Sequence, residues 1–192
     1  MAFRVYCILA AGVFSVCNTS AQDIPLNRVL IKGEGWEKVA DGMQFCDACC
    51  SDRLGNFYFA DVAGGDAVKK VTPSGKISNF IAGVPGISGM QFGPGGRLYA
   101  CQGGARRIVA LSPGRPPEII VADIRPNDLV VTDDEHLYFT ETSTRRVYHL
   151  DLNKAGRRLS IVAGDIAKPN GISLTADGGT LLVSDHMDKE VW

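Results

Sequence analysis

A seven-residue pattern recurs four times along the chain, and this repeat constrains the fold more than any other feature. The copies read GNFYFAD, GRLYACQ, EHLYFTE and GTLLVSD, each with an apolar residue in the third position. Those third positions are 41, 39 and 44 residues apart: Phe57, Leu98, Leu137 and Leu181. A period of about 40 residues is shared by β-propeller blades and by some helical repeats.

The residues around each copy decide between these two architectures. Each of the first three copies is followed by a polar loop and then by a run that alternates apolar and polar residues, as in Ala67–Val71, which is typical of a half-buried strand. A further run follows a turn, and a short apolar stretch precedes each copy from the second onward. Four short strands per repeat predict an all-β propeller of four-stranded antiparallel blades. The absence of a sustained 3.6-residue apolar stripe excludes a helical solenoid.

The repeat also predicts where the blades lie. We expect them near residues 43–83, 87–123, 126–165 and 169–192. Trp36–Ala40 is interpreted as an extra strand, of the kind that completes the last blade of a closed ring. The fourth repeat reaches only its third strand at Trp192, so we expect a truncated propeller of about three and a half blades, at about 40 residues per blade.

The first 21 residues have the features of a secretory signal. Arg4 precedes an apolar run, and Thr19–Ala21 supplies small residues for cleavage before Gln22. The apolar run is short for a membrane span. We therefore expect residues 22–192 to form the propeller domain of a periplasmic or extracellular protein, not held in the membrane. The net charge is −1 and the basic residues are scattered, which argues against a nucleic-acid partner.

Four cysteines remain after residue 21. They are Cys46, Cys49, Cys50 and Cys101. A closed zinc site would need a second pair of ligands at matching spacing, which neither cysteine nor histidine provides. In an oxidising compartment we expect a disulfide or buried thiols instead. The pairing is left open, because four cysteines allow three full pairings.

Polar residues precede or open the innermost strand of each predicted blade. Asp47, Ser88, Asn127 and Asn170 are 41, 39 and 43 residues apart. Innermost strands converge on the axis of a propeller, so these side chains are expected at one mouth of the central channel. A carboxylate with amide oxygens suits a hard divalent cation. The alternative is that they only form turns, which we favour for Ser88.

Three other groups of residues receive simpler interpretations. Asp61 and Glu141 end second strands on the same period, where they either face the channel mouth or are solvated loop carboxylates, and we favour the solvated alternative. His136, His149 and His186 show no pairing with a serine or cysteine nucleophile in the sequence, so a catalytic triad is not predicted. The aromatic residues that recur with the blades are predicted to pack between them: Tyr58, Phe59, Tyr99, Tyr138 and Phe139.

Several of these segments resemble the SMP-30/gluconolactonase/luciferin-regenerating-enzyme-like family, which includes regucalcin. They are GMQFCDA at Gly42, GRLYACQGG at Gly96, RPNDLVV at Arg125 and PNGI at Pro169, together with GNFYFAD at Gly55. The resemblance covers about residues 34–192. It implies a six-bladed propeller with one divalent ion at the channel mouth, and in many members hydrolysis of sugar lactones.

The resemblance also implies roles for single residues. Asp47 stands where the family has a metal-binding Glu, and Asn170 matches a metal-binding Asn. Arg125 and Asn127 match the residues that contact substrate oxygens. The remaining ligand, an Asp expected to relay the proton as well, would lie beyond Trp192, so no catalytic residue is assigned. The polypeptide of 192 residues is therefore expected to be inactive by itself.

The leading hypothesis is an exported, metal-dependent hydrolase of sugar-type lactones. Its substrate would be a lactone or sugar acid, and its cofactor one divalent cation, calcium first, with zinc, magnesium or manganese as alternatives. The competing hypothesis is a non-catalytic, NHL-like propeller that serves as a binding or scaffold module. In that case the residues at the channel mouth would only shape turns.

Overall fold

The alternating segments form fifteen short β-strands in the part of the chain that the computed structural model describes, residues 35, 37–154 and 158–192. The predicted signal, residues 1–21, and Trp36 lie outside these residues. All the strands belong to one unit, Ala40–Trp192. No described helix is long and apolar enough to cross a membrane.

The strands group into four antiparallel sheets in chain order, here called blades I to IV. Blade I holds β1 (Cys46–Ser51), β2 (Phe57–Asp61), β3 (Ala67–Val71) and β4 (Ile77–Ala82). Blade II holds β5 (Ile87–Phe92), β6 (Leu98–Gln102), β7 (Arg107–Leu111) and β8 (Glu118–Ala122). Blade III holds β9 (Leu129–Val131), β10 (His136–Glu141), β11 (Arg146–Asp151) and β12 (Ser160–Ala163). Blade IV holds β13 (Pro169–Leu174), β14 (Leu181–Asp185) and β15 (Glu190–Val191).

Each strand pairs with its neighbour in sequence, so the order within every sheet is that of the chain. This is the up-and-down topology of a propeller blade, and it confirms the predicted fold class. The repeated seven-residue pattern supplies the second strand of every blade. Each sheet falls within the interval predicted for a blade.

One predicted strand is absent. Residues 37–40 form no strand, although Trp36–Ala40 was expected to supply one. Glu37, Lys38 and Val39 are all exposed, so this segment buries no face against a sheet.

Apolar cores lie between consecutive blades. Tyr58 and Val68 of blade I pack with Leu98 and Val109 of blade II, and similar clusters join blades II and III and blades III and IV. The ring of Tyr58 meets those of Phe80 and Phe92 edge to face, with centroids 4.9 and 4.8 Å away. The predicted packing role of the aromatic residues is confirmed for Tyr58, and also for Tyr99 and Phe139, which lie in the core between blades II and III.

The first strands of the blades lie side by side, β1 next to β5, β5 next to β9 and β9 next to β13. This contact places the residues at the start of each innermost strand close to one another.

Candidate active site

The residue that ends each second strand fixes the loop entering its own blade. Asp61 accepts hydrogen bonds from the backbone nitrogens of Gln44 and Phe45, both at 2.9 Å. Asp185 does the same for Ala167 and Lys168 at 2.8 and 3.1 Å. These bonds are made just before β1 and β13.

Blades II and III use Gln102 and Glu141 in the same way. Gln102 donates from Nε2 to the carbonyl of Pro85, and Glu141 accepts from the backbone nitrogen of Arg125, both at 2.8 Å. The prediction of a solvated carboxylate is therefore wrong for Glu141, which is only 6% exposed, whereas Asp61 remains partly exposed while it holds the backbone. The buried Glu141 carboxylate satisfies one backbone donor and two side-chain hydroxyls, those of Thr144 and Tyr148.

The loops fixed in this way deliver the predicted residues to a single cavity. A space of about 170 Å³ is lined by Asp47, Ser88, Asn127 and Asn170, with residues next to them in the same strands. The structure thus brings together all four residues that the repeat places at the start of the innermost strands.

Three of these four side chains are free to bind a ligand. The side chains of Asp47, Asn127 and Asn170 make no hydrogen bond to another residue in the described part of the chain. Ser88 differs, since its Oγ donates to the carbonyl of Asn127 at 2.7 Å. The turn predicted for Ser88 is wrong, because this residue lies inside β5 and links the innermost strands of blades II and III.

Asp128 is a second carboxylate in the same cavity, and the sequence analysis missed it. Its Oδ1 accepts from the backbone nitrogen of Leu129 at 2.9 Å, and its Oδ2 accepts from that of Ile172 in blade IV at 3.1 Å. Burial raises the pKa of Asp128, and the nearby Asp47 raises it further, while the two hydrogen bonds oppose the shift.

The repeat contains a signal that could have found Asp128. The equivalent positions in the other blades hold Ala48, Gly89 and Gly171, which are all small. A Cβ at Gly89 would lie 2.4 Å from Oδ1 of Asp128 and 2.7 Å from its Cα. The residues at this position in the two neighbouring blades, Gly89 and Gly171, are small because the Asp128 carboxylate fills the space beside them.

Thr140 positions Asn170. It is fully buried, and its Oγ1 donates to the backbone carbonyl of Asn170 at 2.6 Å. Thr142 donates to the carbonyl of Pro169 at 2.7 Å. Blade III therefore sets the position of the strand that carries Asn170.

Arg125 is not among the residues that line the cavity. Its backbone is held by Glu141, two residues before Asn127, and its side chain is exposed.

The four described cysteines are free thiols. The disulfide alternative is not seen, and the buried-thiol alternative holds for Cys101, which is fully buried in the core between blades II and III. Burial raises the pKa of the Cys101 thiol well above its usual range. Cys49 is exposed and lines the candidate cavity next to Asp47.

The histidines also depart from the simple interpretation. Nδ1 of His149 lies 3.3 Å from Oγ of Ser160, and its Nε2 lies 2.7 Å from Nδ1 of His136. Sequence spacing does not show these contacts, because the residues come from three different strands.

The chemistry of the cavity fits a divalent cation. Asp47 offers a carboxylate, and Asn127 and Asn170 offer amide oxygens, which are ligands that calcium accepts. Within residues 37–154 and 158–192, no group of three or more His, Cys, Asp or Glu side chains is arranged to hold a metal. Any ion here would therefore depend on amide oxygens as well as carboxylate.

Comparison with known proteins gives a consistent result. A family model described as the SMP-30/Gluconolactonase/LRE-like region matches residues 45–192. A gluconolactonase of Zymomonas mobilis is 25% identical, and the match covers 81% of this chain and 53% of that protein. The chain therefore spans about half the length of this curated relative.

Solved structures show the same fold. A gluconolactonase from Xanthomonas campestris superposes with a TM-score of 0.70 at 22% identity, covering 80% of this chain and 59% of that one. An inactive variant of virginiamycin B lyase from Staphylococcus aureus gives a TM-score of 0.62 at 17% identity, covering 81% and 54%. At these identities the structural matches establish only a shared fold.

Proposed function

Because the chain belongs to the SMP-30/gluconolactonase/LRE-like family, we propose that the whole protein is a lactonase-type hydrolase that opens sugar-type lactones. The observation that carries the proposal is the convergence of Asp47, Asn127 and Asn170 on one cavity. Their side chains make no hydrogen bond to any other described residue. The similarity to the Zymomonas mobilis gluconolactonase supports the choice of substrate class.

In this proposal Asp47 and Asn170 hold one divalent cation, calcium being the first candidate for an all-oxygen site. Such an ion, when bound, polarises a carbonyl oxygen and lowers the pKa of a coordinated water. Asp47 is one methylene shorter than Glu, so its carboxylate would reach less far from β1 towards such an ion than a Glu at this position.

Two further residues would bind and orient the substrate. The Asn127 amide, in the cavity, would donate to or accept from a substrate hydroxyl. The exposed Arg125 side chain does not line the cavity and would have to turn towards it to offer paired donors to substrate oxygens. In the reaction, water adds to the lactone carbonyl carbon and the ring C–O bond breaks. The ring oxygen leaves as a hydroxyl, and the product is a hydroxy acid.

We propose further that the protein is exported, on the basis of the signal features in residues 1–21.

The test is hydrolysis of glucono-δ-lactone by the whole protein, followed by proton release in a weakly buffered indicator assay. We expect activity that a chelator abolishes and that calcium, zinc, magnesium or manganese restores. Asn170→Ala should lower kcat/KM by at least about 100-fold, because losing a metal ligand should cost no less than losing a residue that only orients one, which costs about 10- to 100-fold.

Asn79→Ala is the matched control, because Asn79 lies in β4 and its side chain contacts Lys69, away from the cavity. It should leave kcat/KM unchanged. Hydrolysis that ignores both the chelator and Asn170→Ala would remove the metal mechanism. No hydrolysis of any lactone would favour the scaffold alternative.

A further inference from the structure

A second polar cavity lies at the other end of the innermost strands, and it has no lining residue in common with the candidate active site. It measures about 650 Å³ and is formed mainly by blades III and IV. β9 (Leu129–Val131) connects Asp128, beside the candidate site, to Thr132, in this second cavity. Two histidines, His136 and His149, line it together with Asp133, Asp134 and Asp177.

The two imidazoles face each other through one nitrogen each. Nδ1 of His136 lies 2.7 Å from Nε2 of His149, and the ring centroids are 4.9 Å apart with planes 20° from parallel. The residues belong to adjacent strands, since Tyr138 of β10 pairs with His149 of β11. The Tyr138 ring lies against His149 at a centroid distance of 4.8 Å and limits its movement.

The second nitrogen of each ring faces an oxygen. Nε2 of His136 lies 3.7 Å from Oδ2 of Asp134, and Nδ1 of His149 lies 3.3 Å from Oγ of Ser160. Metal-binding histidines almost always donate their other ring N–H to an oxygen of this kind, which fixes the tautomer and the ring orientation. The Ser160 hydroxyl can accept the proton of His149 Nδ1, and the Asp134 carboxylate, at ion-pair distance, favours a proton on Nε2 of His136, so both imidazoles can present a lone pair inward.

The separation of the inner nitrogens suits a metal ion. Two nitrogens bound in adjacent positions of a square-planar or octahedral ion, at about 2.0 Å, lie about 2.8 Å apart. At 2.7 Å the two nitrogens share a hydrogen bond in the metal-free protein, so one of them carries a proton that a metal ion would have to displace. The three aspartates of the cavity add negative charge that favours a divalent ion.

We propose that His136 and His149 form a two-histidine site for a divalent transition-metal ion, Cu²⁺ before Ni²⁺ and Zn²⁺. The order follows the general affinity of imidazole sites and the preference of Cu²⁺ for adjacent nitrogen ligands. Asp134 and Ser160 are the outer partners that orient the rings. Since no third His, Cys, Asp or Glu side chain of the described residues is arranged with these two to hold a metal, water would fill the remaining coordination positions. The site is independent of the proposed lactone site.

The test is titration of the full chain with Cu²⁺, followed by electron paramagnetic resonance of the bound ion. Thiols would compete for copper, so the titration uses a variant in which Cys7, Cys17 and the exposed Cys46 and Cys49 are replaced by serine. Burial raises the pKa of Cys50 to about 12, so that thiol stays protonated and competes weakly. We expect one ion per chain, with coupling to two nitrogens.

In that background, His136→Gln and His149→Gln should each weaken Cu²⁺ binding by at least about tenfold and remove coupling to one nitrogen. His186→Gln is the control, because His186 is exposed in a loop outside this cavity, and it should change nothing. Asp134→Asn, at an exposed position, should weaken binding by about tenfold while keeping both nitrogens.

Two results would overturn the proposal. One is a copper signal whose affinity and nitrogen coupling survive His149→Gln. The other is binding that is lost in Asp47→Asn and kept in both histidine variants, which would place the ion in the candidate active site instead.

Discussion

At the scale of single residues, the carboxylates divide into those that hold the backbone and those that face the cavity. Asp61, Glu141 and Asp185 accept backbone hydrogen bonds, whereas Asp47 faces the cavity without such a bond. Asp128 does both, because it bonds to Ile172 across blades and also lines the cavity. Residue type alone does not separate these roles.

Glu141→Ala tests the backbone role. The carboxylate accepts from the backbone nitrogen of Arg125 and from Oγ1 of Thr144, and Ala would leave these donors without a partner. We expect a loss of about 1–3 kcal/mol in the free energy of unfolding, measured with urea. Glu190→Ala, which removes the same charge from an exposed position, should have little effect. Equal losses in the two variants would contradict the role assigned to Glu141.

Gly89→Ala tests the close approach of blades II and III. The added methyl would collide with Oδ1 and Cα of Asp128, and Cα belongs to the backbone, so the blades must separate. We expect a destabilisation of about 1–3 kcal/mol, typical of overpacking, and lower lactonase activity in the whole protein.

Gly104→Ala is the control for this substitution, since a Cβ at Gly104 would meet nothing within 4 Å. It should melt at the temperature of the unmodified protein. A Gly89→Ala protein with unchanged stability would mean that Asp128 moves aside easily.

At the scale of secondary structure elements, the turn between the first and second strands is closed in the same way in every blade. A backbone N–H before the turn donates to a carbonyl after it, at 2.8–3.0 Å in all four blades, as from Asp52 to Asn56 and from Thr132 to His136. Blade I adds the Asp52 carboxylate, which accepts from Nδ2 of Asn56 at 2.7 Å and from the hydroxyl of Tyr58 at 2.9 Å.

This turn predicts a pH dependence. Burial raises the pKa of Asp52, but the hydrogen bonds from Asn56, Tyr58 and Leu54 outweigh it and lower the pKa from 3.8 to about 2. A depressed pKa in the folded state stabilises the fold fully above pH 3.8, and this contribution is lost as the pH falls towards 2. Asp52→Asn should therefore be less stable than the unmodified protein at pH 6, with a difference that shrinks below pH 3.8.

Urea unfolding at pH 6 and pH 2.5 measures this difference. Asp133→Asn is the control, because the Asp133 side chain is 96% exposed and its ion pair with Arg53 should contribute little. A difference between Asp52→Asn and the unmodified protein that stays constant over this pH range would contradict the assignment.

The strands themselves could be predicted from the sequence because their period of two residues and the 40-residue repeat act locally. For this reason the alternating run Ala67–Val71 has the same bounds as the strand β3. The role of Glu141 and the contact between His136 and His149 could not be predicted in this way. They depend on which residues of separate strands meet, and this is decided by the register and the packing of the blades.

The candidate site shows the same limit. Equivalent positions in a repeat are brought together by the symmetry of the fold, so Asp47, Ser88, Asn127 and Asn170 were found from their spacing. Asp128 breaks that symmetry, since it is the one carboxylate among small residues at its level. A search for departures from the repeat would have found it.

At the scale of the whole molecule, the polypeptide of 192 residues presents apolar side chains on blade IV. Leu182, Val191 and Trp192 are 39%, 72% and 56% exposed. Strands β13 to β15 form a three-stranded sheet with an edge that has no partner strand in the described part of the chain. Exposed edges and apolar side chains favour association between chains.

We therefore expect residues 22–192, expressed alone, to form dimers or larger assemblies, measured by light scattering coupled to size exclusion. Trp192→Ser should shift the distribution towards the monomer. A monodisperse monomer with a sharp thermal transition would contradict this expectation.

Asp61, Gln102, Glu141 and Asp185 each form a hydrogen bond between two parts of the same blade. A gene segment that encodes one blade therefore encodes both partners of this bond. Such a segment can be duplicated or exchanged without losing this contact. The bonds near the axis, such as that from Ile172 to Asp128, join different blades and must be rebuilt after each duplication. After duplication, sequence divergence is therefore expected to concentrate at the axis, where new binding specificities arise. The hydrogen bond within each blade is expected to be retained.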